Sequence, residues 1–254
     1  MATTTSKLGE IAGWIRGAGR VTVLTGAGIS TDSGIPDFRG PNGLWTKDPA
    51  AERMSNIRHY MEDSEVRVQA WQGRLHHPAW TAEPNDAHRA LVELERAEVL
   101  HTLVTQNIDG LHQRAGTSEE ILIEIHGTIR EVQCMTCDER APMQRALARV
   151  RAGETDPPCR SCGGILKSAT VSFGQGLDPD LLERAARESA LSDLFLALGT
   201  SLGVYPVAYL PNRTLTNGGR LVIVNAEPTP YDARASAVLN APLSEALPEL
   251  AALV

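Results

Sequence analysis

Residues 20–26 read RVTVLTG. Val21, Val23 and Leu24, with the β-branched Thr22 and Thr25, make a short run that stops at a glycine, which is the pattern of a buried strand. Upstream, Leu8, Ile11, Ala12 and Ile15 fall on one face of a helix. Downstream, runs of the same kind recur at 99–105, 121–125, 192–199 and 220–225, with helical spacing at 86–97 and 180–189. Strands that alternate with helices predict a parallel sheet with crossover connections. Strands that are apolar nearly throughout predict cover on both faces. The class is therefore α/β.

Two stretches break the alternation. Residues 41–85 hold three of the four tryptophans, and residues 131–168 hold all four cysteines with Pro157 and Pro158. Both read as excursions that pack together as a smaller lobe. At about 150 residues per domain, 254 residues suit one large domain plus a small module. A net charge of −7 with no Lys/Arg run speaks against a nucleic-acid footprint, so no direct nucleic-acid partner is expected. Apolar runs such as 194–198 and 221–224 fall far short of the roughly 20 residues that span a bilayer. The start, MATTTSKLGE, lacks the basic flank and apolar core of a secretion signal. The expectation is a cytoplasmic protein without membrane attachment.

The strongest chemical signal is Cys134-x2-Cys137 with Cys159-x2-Cys162. Two thiolate pairs on knuckle turns suit tetrahedral Zn²⁺, and four sulfurs make a closed, structural site. Free or disulfide-bonded cysteines, or a redox pair, are the alternatives. The second signal is the stretch Thr25–Gly40, TGAGISTDSGIPDFRG. A glycine turn after a buried strand brings backbone N–H groups close to a phosphate. The spacing of Gly26, Gly28 and Gly34 fits the dinucleotide fingerprint only in part, and a tight turn without a ligand is the plainer reading. Asp37, Phe38 and Arg39 then place an anion, an aromatic plate and a guanidinium on one loop, and Arg39 can pair with phosphate. The third signal, Gln106-Asn107-Ile108-Asp109, stands at a strand's carboxyl end, where open α/β sheets bind ligands; turn chemistry alone would also explain it. His126, leaving a strand into Gly127, can serve as a general base or be structural. His88 and His112 lie on helical patterns and read as core histidines. Gly199-Thr200-Ser201 and Asn225-Ala226-Glu227 again follow strands and suit phosphate or ribose oxygens.

In this order, GAGIS…SGIPDFRG, TQNIDGLH, His126-Gly127, the four cysteines, VSFG, GTSLGVYP and VNAE resemble the sirtuin (Sir2) family of NAD-dependent protein deacylases, bacterial type. The resemblance implies a Rossmann-like large domain at 1–40, 86–130 and 169–254. It also implies a small lobe made of a helical module at 41–85 and a zinc ribbon at 131–168. NAD is implied as cofactor and Zn²⁺ as structural metal. Gly26, Ala27, Gly28 and Arg39 would hold the pyrophosphate region, Asp37 would be a further NAD-binding residue, and Phe38 would cover the reacting ribose. Gln106, Asn107, Ile108 and Asp109 would line the ribose and nicotinamide pocket. Gly199, Thr200, Ser201, Asn225, Ala226, Glu227 and the backbone of Leu243 would hold the adenosine half. Val171, Ser172, Phe173 and Gly174, with Gly203 and Val204, would pair with an acyl-lysine peptide by strand addition. His126 would take a proton from a ribose hydroxyl, with Asn107 and Asp109 completing the catalytic set. The products would be nicotinamide, 2′-O-acyl-ADP-ribose and free lysine.

Two departures stand out. Gln175 replaces an acid near the peptide groove. Trp71-x-x-Arg74 is the nearest match to the Tyr-x-x-Arg pair of members selective for acidic acyl groups; it lacks the hydroxyl, so desuccinylation should be weak. Glu83-Pro84-Asn85 with His88 reads as a helix cap. A protein ADP-ribosyltransferase, or a non-enzymatic NAD-sensing zinc protein, are the other functions such residues could serve.

Overall fold

In the computed structural model, which describes residues 4–38, 40, 43 and 53–254, Val21–Thr25 forms strand β1 and every one of its residues is buried. The other strands are β2 (Thr102–Thr105), β3 (Leu122–Glu124), β4 (Gly127–Cys134), β5 (Arg140–Pro142), β6 (Leu166–Thr170), β7 (Leu194–Leu198), β8 (Arg220–Val224) and β9 (Ala237–Leu239). The described helices are α1 (Thr4–Gly17), α2 (Ile57–Glu62), α3 (Ser64–Leu75), α4 (Asp86–Arg96), α5 (Leu111–Ala115), α6 (Met143–Arg151), α7 (Pro179–Leu191), α8 (Leu210–Thr216) and α9 (Leu243–Ala252).

β1 pairs in parallel with β2 on one side and β7 on the other, within a six-stranded parallel sheet of order β3-β2-β1-β7-β8-β9. Val21 and Val23 point to one face, where α1 contributes Leu8, Ile11 and Ile15, α4 contributes Leu91 and Leu94, and α9 contributes Leu247 and Leu250. Leu24 points to the other face, against Phe195, Ala197, Ile223, Leu210 and Ala185 of α7. The period of two along the strand survives, but both faces meet apolar side chains, so the run reads as continuous.

The expected elements form with shifted ends. The run at 99–105 becomes a strand only from Thr102, because α4 has first to terminate. Glu98 takes a left-handed φ of 59°, and the N–H groups of Val99 and Leu100 both return to the Leu94 carbonyl. At the other end of α4, the Asn85 side chain accepts from the N–H of Ala87 and of His88, the cap expected from the sequence. The same amide donates to the Ile29 carbonyl at 2.8 Å and to Ser33 Oγ at 3.0 Å, which ties α4 to the turn after β1.

β4, β5 and β6 form a separate antiparallel sheet. Trp71 of α3, fully buried, joins Val132, Met143, Leu147, Val150 and Leu166 in a third apolar cluster. The helical insert and the cysteine segment thus share one core.

The strand order reverses between β1 and β7, which opens a crevice at their carboxyl ends. Its floor is unusually close: Gly26 N–H donates to the Leu198 carbonyl at 3.0 Å, and Gly28 N–H to the Gly199 carbonyl at 2.9 Å. A Cβ on Gly28 would stand 2.8 Å from Gly199 Cα, and one on Gly199, whose φ is +59°, would stand 2.6 Å from Ile29 N. Gly199→Ala is therefore expected to destabilise the chain by about 1–3 kcal/mol, as an overpacked backbone contact does. A urea titration reads this as a lower midpoint at unchanged slope, whereas an unmoved midpoint would show that the two loops part without cost. Among the described residues no helix is long and apolar enough to cross a membrane.

Candidate active site

Four strand ends, Thr25, Thr105, Leu198 and Val224, lie side by side, so the loops that follow them converge. The chain after β1 makes a 3-10 turn over Ala27–Ser33 whose Ser30 is fully buried. Ser30 is the hub that sequence reasoning passed over. Its Oγ donates to Asp109 Oδ2 at 2.8 Å and receives Asn107 Nδ2 at 3.1 Å. Asn107 Nδ2 also donates to the Gly26 carbonyl at 3.1 Å. Gln106 crosses the crevice, its Nε2 donating to Thr200 Oγ1 at 2.9 Å. Burial pushes the Asp109 carboxyl up, while the Leu111 N–H, the Ser30 hydroxyl and Arg130 oppose that shift. The glycine turn, Gln106, Asn107, Asp109 and Thr200 are thus brought together. The signal for Ser30 was its place inside the same glycine-rich turn.

His126 follows β3 into Gly127, whose φ is +72°. Its Nδ1 lies 3.0 Å from the Gln106 carbonyl. A carbonyl only accepts, so Nδ1 carries the proton and the neutral ring keeps its lone pair on Nε2. Burial lowers the His126 pKa, and the Gln106 bond partly offsets that. His88 and His112 are core histidines: their ring centroids stand 4.9 Å apart and burial holds His88 at about 4.

Other expected residues lie along the crevice or leave it. Ala27 opens the 3-10 turn, and the Ile108 carbonyl receives the Ile129 N–H. Asp37 Oδ1 accepts the Gly40 N–H at 2.9 Å, and Phe38 is exposed. Arg39 lies outside the described residues, as does part of 41–85. Ser201, Ala226 and Glu227 are exposed. The Asn225 side chain bonds the Glu227 carbonyl at 2.7 Å, within its own loop. Leu243 starts α9 with its side chain in the core.

In the segment 171–174, Val171 N–H donates to the His126 carbonyl at 2.8 Å. Phe173 pairs with the helical insert, N–H to the Ser55 carbonyl and carbonyl to the Ile57 N–H. Ser172 is closed on Gln175, so the neutral side chain that replaces an acid is turned inward. Among the described residues, Gly174 and the Val171 carbonyl are the backbone groups of this segment left without a hydrogen bond. Across the groove, Gly203 is exposed, while the Val204 carbonyl already receives the Ala208 N–H. Trp71 and Arg74 do not form an outward pair. Trp71 is core, and Arg74 bonds the Tyr60 hydroxyl at 3.0 Å and Ser168 Oγ at 3.3 Å. Tyr60, on α2, is itself buried, and its hydroxyl donates to the Leu166 carbonyl at 2.7 Å.

The four cysteine sulfurs lie within 4.8 Å of one another. Cys134 and Cys162 are 3.5 Å apart and Cys137 and Cys159 3.8 Å. Zn–S bonds of about 2.3 Å require tetrahedral edges of about 3.8 Å, whereas a disulfide needs about 2.05 Å. The Thr136 N–H points to Cys134 Sγ and the Gly164 N–H to Cys162 Sγ, each at 3.4 Å, as thiolate knuckles do. A Cβ on Gly164 would fall 3.0 Å from Cys134 Sγ, so glycine closes the second knuckle. The donor set fits Zn²⁺ with no open position.

A model of the Sir2 family matches residues 26–206. An NAD-dependent protein deacetylase 2 of Streptomyces coelicolor is 53% identical over 230 residues, 91% of this chain and 95% of that protein. An NAD-dependent protein deacylase 1 of Archaeoglobus fulgidus is 38% identical over 235 residues, 91% of each. Among solved structures, a Sir2 protein with a deacetylated p53 peptide and 3′-O-acetyl ADP ribose superposes with a TM-score of 0.88 at 35% identity, covering 95% of this chain and 96% of that one.

Proposed function

The chain belongs to the Sir2 family, and from that premise we infer that it is an NAD-dependent protein lysine deacylase acting on acylated lysine side chains. NAD supplies a ribose carbon that loses nicotinamide and hydroxyls that accept the acyl group. The chain supplies position and a base. Gly26, Ala27 and Gly28 hold the pyrophosphate region in this reading, with Asp37 and Arg39 beside it. Gln106, Asn107, Ile108 and Asp109 line the nicotinamide and ribose site under Phe38. Gly199, Thr200, Ser201, Asn225, Ala226, Glu227 and Leu243 take the adenosine half. The peptide enters along Val171, Ser172, Phe173 and Gly174, facing Gly203 and Val204. The four cysteines hold structural zinc.

The observation that carries the reading is the His126 ring. Nδ1 is held by the Gln106 carbonyl, which leaves Nε2 to take a ribose proton. The test is mass spectrometry of NAD and an acetyl-lysine peptide after incubation with the chain. Nicotinamide and acyl-ADP-ribose in equal amounts are expected. ADP-ribose attached to protein without them would favour the transferase alternative, against which the deacetylase and deacylase relatives weigh. Arg74 is engaged with Tyr60 and Ser168, so deacetylation should outrun desuccinylation. A four-thiolate zinc set suits a reducing compartment such as the cytoplasm.

The base works only when neutral. A pKa lowered by burial keeps Nε2 free through neutrality, and activity is lost only as pH falls through that lowered value. The acid limb of kcat/KM should therefore have its midpoint below the about 6.5 of a free imidazole. A midpoint above it would mean that the titrating group is another one.

A further inference from the structure

The pairing of β4 with β6 breaks after its first residue. Gly127 faces Thr170 and Val132 faces Ser168, so five steps on β4 oppose two on β6. The surplus at 128–131 is a bulge, and bulges beside active sites re-aim side chains. This one reaches the loop after β2: the Ile129 N–H donates to the Ile108 carbonyl, and Arg130 Nη2 to the Asp109 carbonyl, each at 3.0 Å. Two successive residues of the bulge thus grip two successive carbonyls of the loop that carries Asn107 and Asp109.

Gly110 makes room for this grip. A Cβ there would stand 2.3 Å from Arg130 Nε, and φ at Gly110 is +71°. Among the described residues, Arg130 is the cation set against both carboxylates of this corner, the buried Asp109 and the half-buried Glu124. Glu131 is the further acid facing Glu124, and Gln113 its hydrogen-bonding neighbour.

We propose that the β4 bulge is a clamp, and that Arg130 is a positioning residue which holds the Gln106–Asp109 loop in its NAD-binding shape. The inference rests on the reading of that loop as an NAD contact. Arg130 touches no reacting atom; it acts through the backbone of Asp109.

The test measures the Kd for NAD by calorimetry and the KM values for NAD and peptide. The proteins are the wild type, Arg130→Ala, Arg130→Lys and Gly110→Asn, together with the double variant of Arg130→Ala and Gly110→Asn. Loss of a charged donor should weaken NAD binding about tenfold in Arg130→Ala. The peptide KM and the Tm should hardly move. Arg130→Lys, which keeps one charged donor, should recover most of the affinity. Asparagine tolerates a left-handed backbone, so Gly110→Asn reports the collision with the guanidinium. It should weaken NAD binding alone and add less than about twofold once Arg130 is gone. Wild-type affinity in Arg130→Ala would overturn the clamp. So would an equal loss for NAD and peptide together with a lower Tm. Should Arg130→Ala fail to fold, Arg130→Lys and Gly110→Asn decide: a clamp requires NAD affinity to be kept in the first and lost in the second. A wild type that binds no NAD would instead sink the functional reading, and the clamp with it.

Discussion

His126→Ala should lower kcat/KM by about 10²–10⁴-fold, the span that a positioned general base contributes. The argument is geometric. Nδ1 is committed to the Gln106 carbonyl, so the only basic nitrogen is Nε2, and alanine removes it while leaving the strand ends in place. The ring makes one hydrogen bond and is only partly buried, so its loss should cost about 0.5–1.5 kcal/mol of stability. NAD affinity should therefore persist while turnover fails. Steady-state rates, calorimetry with NAD and a thermal melt on the same preparation check this. A variant that turns over normally, or one that loses NAD binding and unfolds early, would remove His126 from the chemistry.

Withdrawal of zinc should produce the largest change in stability. Structural zinc carries apparent binding free energies of about 10–16 kcal/mol in small zinc peptides, which become folding free energy where no other core exists. Here the cysteine segment does have another core. Trp71, Met143, Leu147, Val150 and Leu166 pack around Cys134 and Cys159, so part of the lobe should outlast the metal. At about 2–4 °C of Tm per kcal/mol for a chain of this size, a loss of several kcal/mol should lower the first melting step by about 10 °C or more. Hydrogen exchange should rise first in 131–168. Activity should fall too, because β6 runs directly into Val171, whose N–H is held by the His126 carbonyl. Release of about one zinc per chain on chelation is the quantity to measure. A chain without zinc, or one whose melt ignores a chelator, would remove the structural role.

Particular residues mark how far sequence reading reaches. The strand at 21–25, the helix face of Leu8 to Ile15 and the Asn85 cap depend on patterns a few residues long, and they form as written. The zinc ligands are legible for the same reason, since each knuckle is a local turn with two cysteines at fixed spacing. Val99–His101 read as strand and are irregular chain, because helix termination takes precedence over β propensity there. Trp71 stands where the acyl-selecting pair would begin and is core. Ser30 was overlooked, although it is the atom that joins Asn107 to Asp109, because its two partners lie 77 and 79 residues away. Arg130 carries no pattern at all; its role exists only where β4 departs from its pairing.

The sequence alone determined the α/β class, the closed four-thiolate set and the presence of glycine and polar loops after the strands, since each is written in spacing shorter than one element. The tertiary structure alone decided which of those loops meet. Strand order places Thr25 against Thr105 and Gly28 against Gly199, and it leaves the Asn225 side chain to its own loop. Such contacts are fixed by sheet pairing and core packing summed over the whole chain, so no local stretch of residues encodes them.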